Sequence, residues 1–244
     1  MPNRNNNKTN LTSELKCLIN ELNNRPMQRN RSVSRMKIWN FTVKFSYGLK
    51  RFFDIVLSLA ALIVLMPFFI ILAIIIKLTS PGPIFFVQTR VGYFGRHFRF
   101  YKFRSMYQDA EKRKQALLAQ NQSADGVIFK MKHDPRITPI GRIIRKTSID
   151  ELPQFFNVLF GDMSLVGPRP PLPSEVQQYT LEDRKRLNVK PGLTCLWQIR
   201  GRSDIPFKEQ VKLDKEYIQS NSLWQDLKIL IQTIPAIISG KGAY

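Results

Sequence analysis

IVLSLAALIVLMPFFIILAIII, residues 55–76, is the stretch whose reading decides the fold of this chain. Ser58 is its only conventionally polar side chain. A buried helix of a soluble protein is usually shorter or amphipathic, so a segment this long and this apolar reads as a membrane helix. It is too long, and starts too far from Met1, for a simple secretory signal. Two features argue against a plain span. Pro67 sits mid-segment, where it removes a backbone donor and crowds the preceding turn. Lys50 and Arg51 precede the segment and Lys77 follows it, so the excess of positive charge on cytoplasmic loops puts both flanks on the same side. A helix that breaks at Pro67 and returns to its own face satisfies both features, provided protein groups satisfy the freed backbone. A kinked single span is the competing reading, and the residues alone leave the two open.

Toward the N-terminus the composition changes. Residues 1–51 hold 11 Lys/Arg and two acids (Glu14 and Glu21), or +9 of the chain's net charge of +20. A basic surface of this size favours phosphate-rich partners: nucleic acid, anionic lipid or nucleotide-linked substrates. Residues 11–22, LTSELKCLINEL, have the pattern of a short amphipathic helix, and the rest of residues 1–36 reads as a flexible tail. Trp39, Phe41, Phe45 and Tyr47 among basic residues suit the headgroup layer of an anionic membrane.

Toward the C-terminus, Thr79–Pro83 (TSPGP) is a turn that ends the apolar helix. Beyond it, residues 84–92 and 98–106 read as two short strands around Gly92–Gly95. Residues 107–122, 148–160, 207–219 and 222–239 read as helices. The expectation is an α-rich α+β fold: a basic extension over 1–49, a membrane helix over 50–78 and one cytoplasmic domain over 79–244. Cys17 and Cys195 give neither a metal spacing nor a disulfide framework. The chain has no Walker loop, no GxGxxG, no HExxH and no Asp-x-Asp metal motif, and its two histidines, His97 and His133, lie far apart in sequence.

Asp150 and Glu151, in KTSIDELPQFFNVL (146–159), are the sharpest candidates for chemistry. There is a bland alternative. Ser148 with Glu151 three residues on is a capping box, and acids in a first helical turn complement the helix dipole without any catalytic role. The neighbours favour the chemical reading. Arg142, Arg145 and Lys146 precede the pair. LVGPRP holds Arg169 between prolines in a rigid turn. PGLTCLWQIRGR presents Arg200 and Arg202 beside glycines. Arginines on turns are good bidentate partners for phosphate. Any one of them alone is a solvated surface charge. Together with the acidic pair they look like a diphosphate site with its own nucleophile.

These motifs resemble one family. KRFFDIVLSLAALIVLMPFF, SPGPIFFVQTRVG, FRFYKFRSM, TSIDELPQFFNVLFGDMSLVGPRP, KPGLTCLWQIRGRS and DLKILIQT stand in the order of the bacterial sugar transferases. These are the monotopic phosphoglycosyl transferases that start exopolysaccharide, O-antigen or glycoprotein glycan assembly. The resemblance runs from about Lys50 to Tyr244. It implies a re-entrant membrane helix broken at Pro67, with both ends in the bacterial cytoplasm, packed on a small cytoplasmic catalytic domain. It implies transfer of a sugar-1-phosphate from a UDP-sugar to undecaprenyl (polyprenyl) phosphate with release of UMP. Asp150 is then the nucleophile and metal ligand, and Glu151 its acidic partner. Lys102, Arg145, Arg169 and Arg202 contact phosphate and nucleotide, and the metal is Mg²⁺. Anionic lipids are expected partners, nucleic acid is not, and a homo-oligomer is compatible with the family. The sugar is not identified. Met66 replaces a serine common before this proline, and Cys195 stands where glycine is usual. The basic extension has no counterpart in the smallest members, and the multi-span N-terminal module of the longest members has none here. The rival reading outside enzymes is a membrane-tethered basic scaffold for nucleic acid or anionic lipid.

Overall fold

The computed structural model describes residues 16, 26–117, 121–122, 129, 131, 133–240 and 242, with side chains described at all of these except 26–41 and 203. The α-rich α+β expectation holds. The chain divides into two compact units, Met1–Leu49 and Lys50–Tyr244. All but one residue of the short amphipathic helix expected over 11–22 lies outside the described residues. Residues 26–49, within the basic extension expected over 1–49, are helical and run on into the apolar segment as α1 (Pro26–Thr79). Pro26 suits its first turn, and Met, Gln, Arg and Lys propagate helix well once a nucleus exists.

The apolar part of α1, Thr42–Thr79, is long and apolar enough to cross a membrane, and only 22% of its most apolar window is buried. That figure separates it from the core helix of a soluble protein. Asp54, Ser58, Leu62, Phe69, Leu72 and Ile76 are buried, at the three-, four- and seven-residue spacings of one helix face. Ile63, Val64, Ile70, Ile71 and Leu78 stand exposed on the others. Helical structure continues through Pro67. Where a break was expected, the helix is continuous: Pro67 withholds one backbone donor, and helical turns stand on either side of it.

Both ends of the apolar segment are tied to the same unit. Near its start, Arg51 donates to the carbonyls of Val158 and Leu159, the latter at 2.8 Å. Asp54 Oδ1 accepts from the Ser164 hydroxyl at 3.1 Å and the Leu165 amide at 3.0 Å. Past its end, Arg104 Nη2 donates to the Ser80 carbonyl at 2.6 Å and hydroxyl at 2.7 Å.

After α1 comes an antiparallel hairpin, β1 (Phe85–Val91) and β2 (His97–Phe103), in register Phe86↔Lys102 and Arg90↔Phe98. The turn between them carries Phe94 at φ 51° and Gly95 at φ 78°. Then follow α2 (Ala110–Leu117), α3 (Pro139–Lys146), a 3₁₀ turn at Ile149–Glu151, α4 (Gln154–Phe160) and β3 (Ser164–Val166). Next are α5 (Pro173–Gln177), α6 (Leu181–Arg184), β4 (Gly192–Thr194), α7 (Leu196–Arg200), α8 (Phe207–Ser220) and α9 (Leu223–Ser239). Strands β3 and β4 pair in parallel, Ser164↔Gly192 and Val166↔Thr194. Three residues each are too few for a period-2 signal, so these strands were not legible in the sequence.

The two larger of three buried clusters among the described residues do most to hold the second unit together. One gathers Phe100, Val158, Met163, Leu165, Trp197, Leu213, Tyr217 and Ile229. The other joins Leu62, Phe69, Leu72 and Ile76 of α1 to Phe103 and Ile144. Each such side chain, fully buried, is worth about 1.5–3 kcal/mol.

The helix expected over 148–160 needs correcting, and so does its capping box. Ser148 sits in the left-handed region at φ 56° and makes no side-chain cap. Its carbonyl accepts from the Glu151 amide at 3.1 Å, closing the 3₁₀ turn, and α4 starts only after Pro153. The Glu151 carboxylate is drawn instead to Lys102. Cys195, in place of a glycine, has φ −153° and ψ 170°, an extended backbone open to any residue.

Candidate active site

The 3₁₀ turn at Ile149–Glu151 lies between α3 and α4 and lifts two consecutive carboxylates beside β2. Lys102, on β2, reaches both: its Nζ is 2.6 Å from Glu151 Oε1 and 3.6 Å from Asp150 Oδ2. Arg169 Nη1 lies 3.6 Å from the same Glu151 oxygen, and its guanidinium sits 6.0 Å from the centre of the Trp197 ring. Arg145, in the last turn of α3, and Arg202, in the turn after α7, complete the lining of one cleft of about 600 Å³. Lys102, Arg145, Asp150, Glu151, Arg169 and Arg202 thus come together from five parts of the chain. Pro67 is not among the lining residues.

The two acids differ in environment. Burial raises the Asp150 carboxyl above its usual range, and Lys102 offsets only part of this. Burial pushes Glu151 the same way, but Lys102 and Arg169 outweigh it and hold that carboxyl at about 2. Glu151 is the fixed charge that organises the cations. Asp150 is the basic carboxylate. Among the described residues the Asp150 side chain accepts no hydrogen bond, and its ion pair with Lys102 is long. Its oxygens are therefore available to a ligand in the cleft.

Arg202 has a similar vacancy. It holds a left-handed φ of 52°, and its buried Nη1 has no hydrogen-bond partner among the described residues. Burial lowers its pKa, with Glu151 working against that. A buried guanidinium nitrogen without an acceptor is costly, and a phosphate oxygen would supply one.

Arg90 was missed from sequence. It is buried on β1, donates to the Pro170 carbonyl at 3.1 Å and sits 5.2 Å from the centre of the Phe100 ring. Burial and the nearby Arg169 lower its pKa to about 10. It lines the cleft and holds the turn that carries Arg169. The sequence carried no signal for it: an arginine in QTRVG reads as a solvated strand residue, since charged side chains are seldom fully buried.

A divalent cation fits this donor set. Among the described residues no group of three His, Cys, Asp or Glu could form an all-protein cage. Mg²⁺ commonly binds through one or two carboxylates plus substrate phosphates, a mode that a single carboxylate such as Asp150 beside open cleft space would suit.

The chain matches the bacterial sugar transferase family over residues 45–240. It is 52% identical over 195 residues to the "Galactosyl transferase CpsE" of Streptococcus agalactiae, which covers 80% of this chain and 43% of that protein. It is 44% identical over 209 residues to the "Undecaprenyl-phosphate galactose phosphotransferase" of Salmonella typhimurium, covering 84% of this chain and 44% of that one. The chain thus spans less than half the length of these two relatives. To the "Exopolysaccharide production protein ExoY" of Sinorhizobium fredii it is 39% identical over 198 residues, covering 80% of this chain and 88% of that protein. With the family matched over most of its length and the acid pair and basic turns lining one cleft, this chain belongs to the bacterial sugar transferases.

Proposed function

We propose that this chain transfers a sugar-1-phosphate from a UDP-sugar to a polyprenyl phosphate at the cytoplasmic face of a bacterial membrane, an initiating step of glycan assembly. One observation carries the reading. A buried carboxylate of raised basicity, with no hydrogen bond of its own among the described residues, lines a cleft whose basic side chains, Lys102, Arg145, Arg169 and Arg202 among them, match diphosphate chemistry. The name of the Salmonella relative supplies the acceptor and the reaction class.

In the first half-reaction an Asp150 carboxylate oxygen attacks the β-phosphorus of the donor. The bond to the bridging oxygen breaks and UMP leaves with that electron pair, which gives a sugar-phosphoryl-aspartate. A phosphate oxygen of the acceptor then attacks the same phosphorus, and the Asp150 oxygen departs as carboxylate. Lys102, Arg145, Arg169 and Arg202 offset the charge on the phosphate oxygens, which otherwise repel an incoming carboxylate. Glu151 keeps Lys102 and Arg169 aimed at the cleft. Mg²⁺ held at Asp150, when bound, adds Lewis-acid neutralisation of the diphosphate.

The structure also supports a re-entrant course for α1. Residues on both sides of Pro67 pack in one core, and the segment is hydrogen-bonded to the same globular unit at both ends. A helix crossing to the far side would carry one end away from that unit. The exposed aliphatic face is then left for lipid, and the cleft lies at headgroup level.

The test is UMP release from a panel of UDP-sugars with undecaprenyl phosphate in detergent or nanodiscs. UMP together with a lipid-linked diphosphosugar is expected. Release of UDP instead would make the chain a transferase of the sugar alone. Salt-sensitive nucleic-acid binding with no turnover would favour the scaffold reading.

A further inference from the structure

The β1–β2 hairpin sets apolar and cationic side chains together on one face. Side chains alternate along a strand, and directly opposed residues share a face. Phe86, Gln88 and Arg90 therefore lie on one side with Lys102, Phe100 and Phe98. Of these, Phe86, Gln88, Arg90 and Lys102 line the cleft. Arg90, toward the turn of the hairpin, is buried beside the turn of Arg169, and Lys102, opposite Phe86 at the other end, meets both acids. That second end is also apolar and uncovered: Phe85, Phe86 and Val87 are 43%, 44% and 48% exposed. Three consecutive exposed apolar residues mean that both faces of the strand lack cover there. On the opposite face Phe85 stacks on Phe103 at 5.3 Å, and Phe103 meets Phe69 of the membrane helix edge-on at 5.1 Å. Ring contacts therefore run from Phe85 at the rim of the cleft through the buried Phe103 to Phe69 of α1.

A ligand matching this juxtaposition has an anionic head and an apolar tail. We propose that Phe86, with Phe85 at the rim, seats the first isoprene units of the acceptor while its phosphate faces Lys102 and Asp150. This rests on the transfer reaction proposed above and adds to it the surface that selects an isoprenoid acceptor. The commitment to the acceptor tail over bulk lipid rests on continuity: Phe86 lies opposite Lys102 in register and lines the same cleft.

The experiment compares kcat/KM for undecaprenyl phosphate and for a short unbranched alkyl phosphate with no isoprene unit in the same micelles, for the unsubstituted chain, Phe86→Leu and Phe86→Ser. The readout is the isoprenoid-to-alkyl ratio, which general damage to the fold would not change selectively. The ratio should fall about tenfold in Phe86→Ser, the scale of one buried aromatic contact. It should largely survive in Phe86→Leu, which keeps apolar bulk. An unchanged ratio in Phe86→Ser, or equal losses on both acceptors with weakened binding to lipid vesicles, overturns the assignment; the latter would make the patch a bulk-lipid contact. Should Phe86→Ser fail to fold, Phe86→Thr, which keeps a strand-forming side chain, must lower the ratio, and an unchanged value there overturns it equally. If the unsubstituted chain makes no lipid product at all, the parent reaction fails. If it turns over but the ratio is indifferent to these changes, only the acceptor surface fails.

Discussion

Asp150 and Glu151 are neighbours in the chain, yet Lys102 sits a full ångström closer to Glu151. That ångström separates their roles: one carboxyl is held at about 2 and the other is raised by burial. Asp150→Asn should abolish UMP release, by at least about 10³-fold as expected for loss of a nucleophile, and no sugar-phosphoryl-enzyme should be trapped; normal turnover would remove Asp150 from this role. The linkage sign is opposite for stability. A carboxyl whose folded pKa is raised contributes fully below its unfolded pKa and loses that contribution as pH rises through the folded value. At neutral pH Asp150 is therefore a cost to folding, and Asp150→Asn should melt no lower than the parent chain. Catalysis needs the ionised form, so the acid limb of the rate profile should sit above the ordinary aspartate range. Lys102 lowers the Asp150 pKa; Lys102→Met should therefore move that limb to higher pH, and an unmoved limb would detach Lys102 from Asp150. Arg169→Ala should cost about 10²-fold in kcat/KM, as for loss of a preorganised charge donor, where a surface charge would cost almost nothing.

At the scale of elements, the site depends on backbones that approach too closely for side chains. The β3–β4 pair sets the turn of Arg169: the Gly192 amide donates to the Pro168 carbonyl at 2.9 Å. A Cβ on Gly192 would lie 2.0 Å from the Gly167 nitrogen. Gly192→Ala should destabilise by about 1–3 kcal/mol through overpacking, a Tm loss of roughly 2–4 °C per kcal/mol for a chain of this size. Its activity should fall beyond what the Tm explains, because Arg169 moves with the turn. Gly141, at the start of α3, is similarly constrained: a Cβ there would lie 1.9 Å from the Ser105 carbonyl oxygen. Asp54 is the element-scale anchor of α1. Asp54→Ala removes the acceptor for the Leu165 amide and the Ser164 hydroxyl and should cost about 1.5–3 kcal/mol, read as a lower Tm in detergent.

For the whole molecule, the re-entrant course makes a topological prediction. Tyr47→Cys and Pro81→Cys, each in a background lacking Cys17 and Cys195, should both react with a membrane-impermeant maleimide in inverted vesicles and neither in intact spheroplasts. Reaction from opposite sides would make α1 a span.

Much of this was legible in advance, and for a physical reason in each case. The apolar run of 55–76 identifies a membrane helix because hydrocarbon burial depends on composition over a local window. The hairpin and the helices α8 and α9 carry their own periodicities and turns. The acid pair and the basic turns stood out because charge beside glycine and proline has little use in a core. The capping box failed for the opposite reason: Ser148 and Glu151 matched a local pattern, but a lysine 49 residues upstream took the carboxylate. Arg90 was passed over because burial with a partner cannot be read from one residue, and the parallel strands because three residues carry no period.

The sequence by itself determined that this chain has a membrane helix and an α-rich domain bearing two acids among arginines, since these follow from near neighbours in the chain. Only the tertiary structure decided which acid is free, which is pinned, and that both ends of the apolar helix meet one globular unit. Those outcomes depend on distances between groups remote in sequence, and electrostatics and burial act through space.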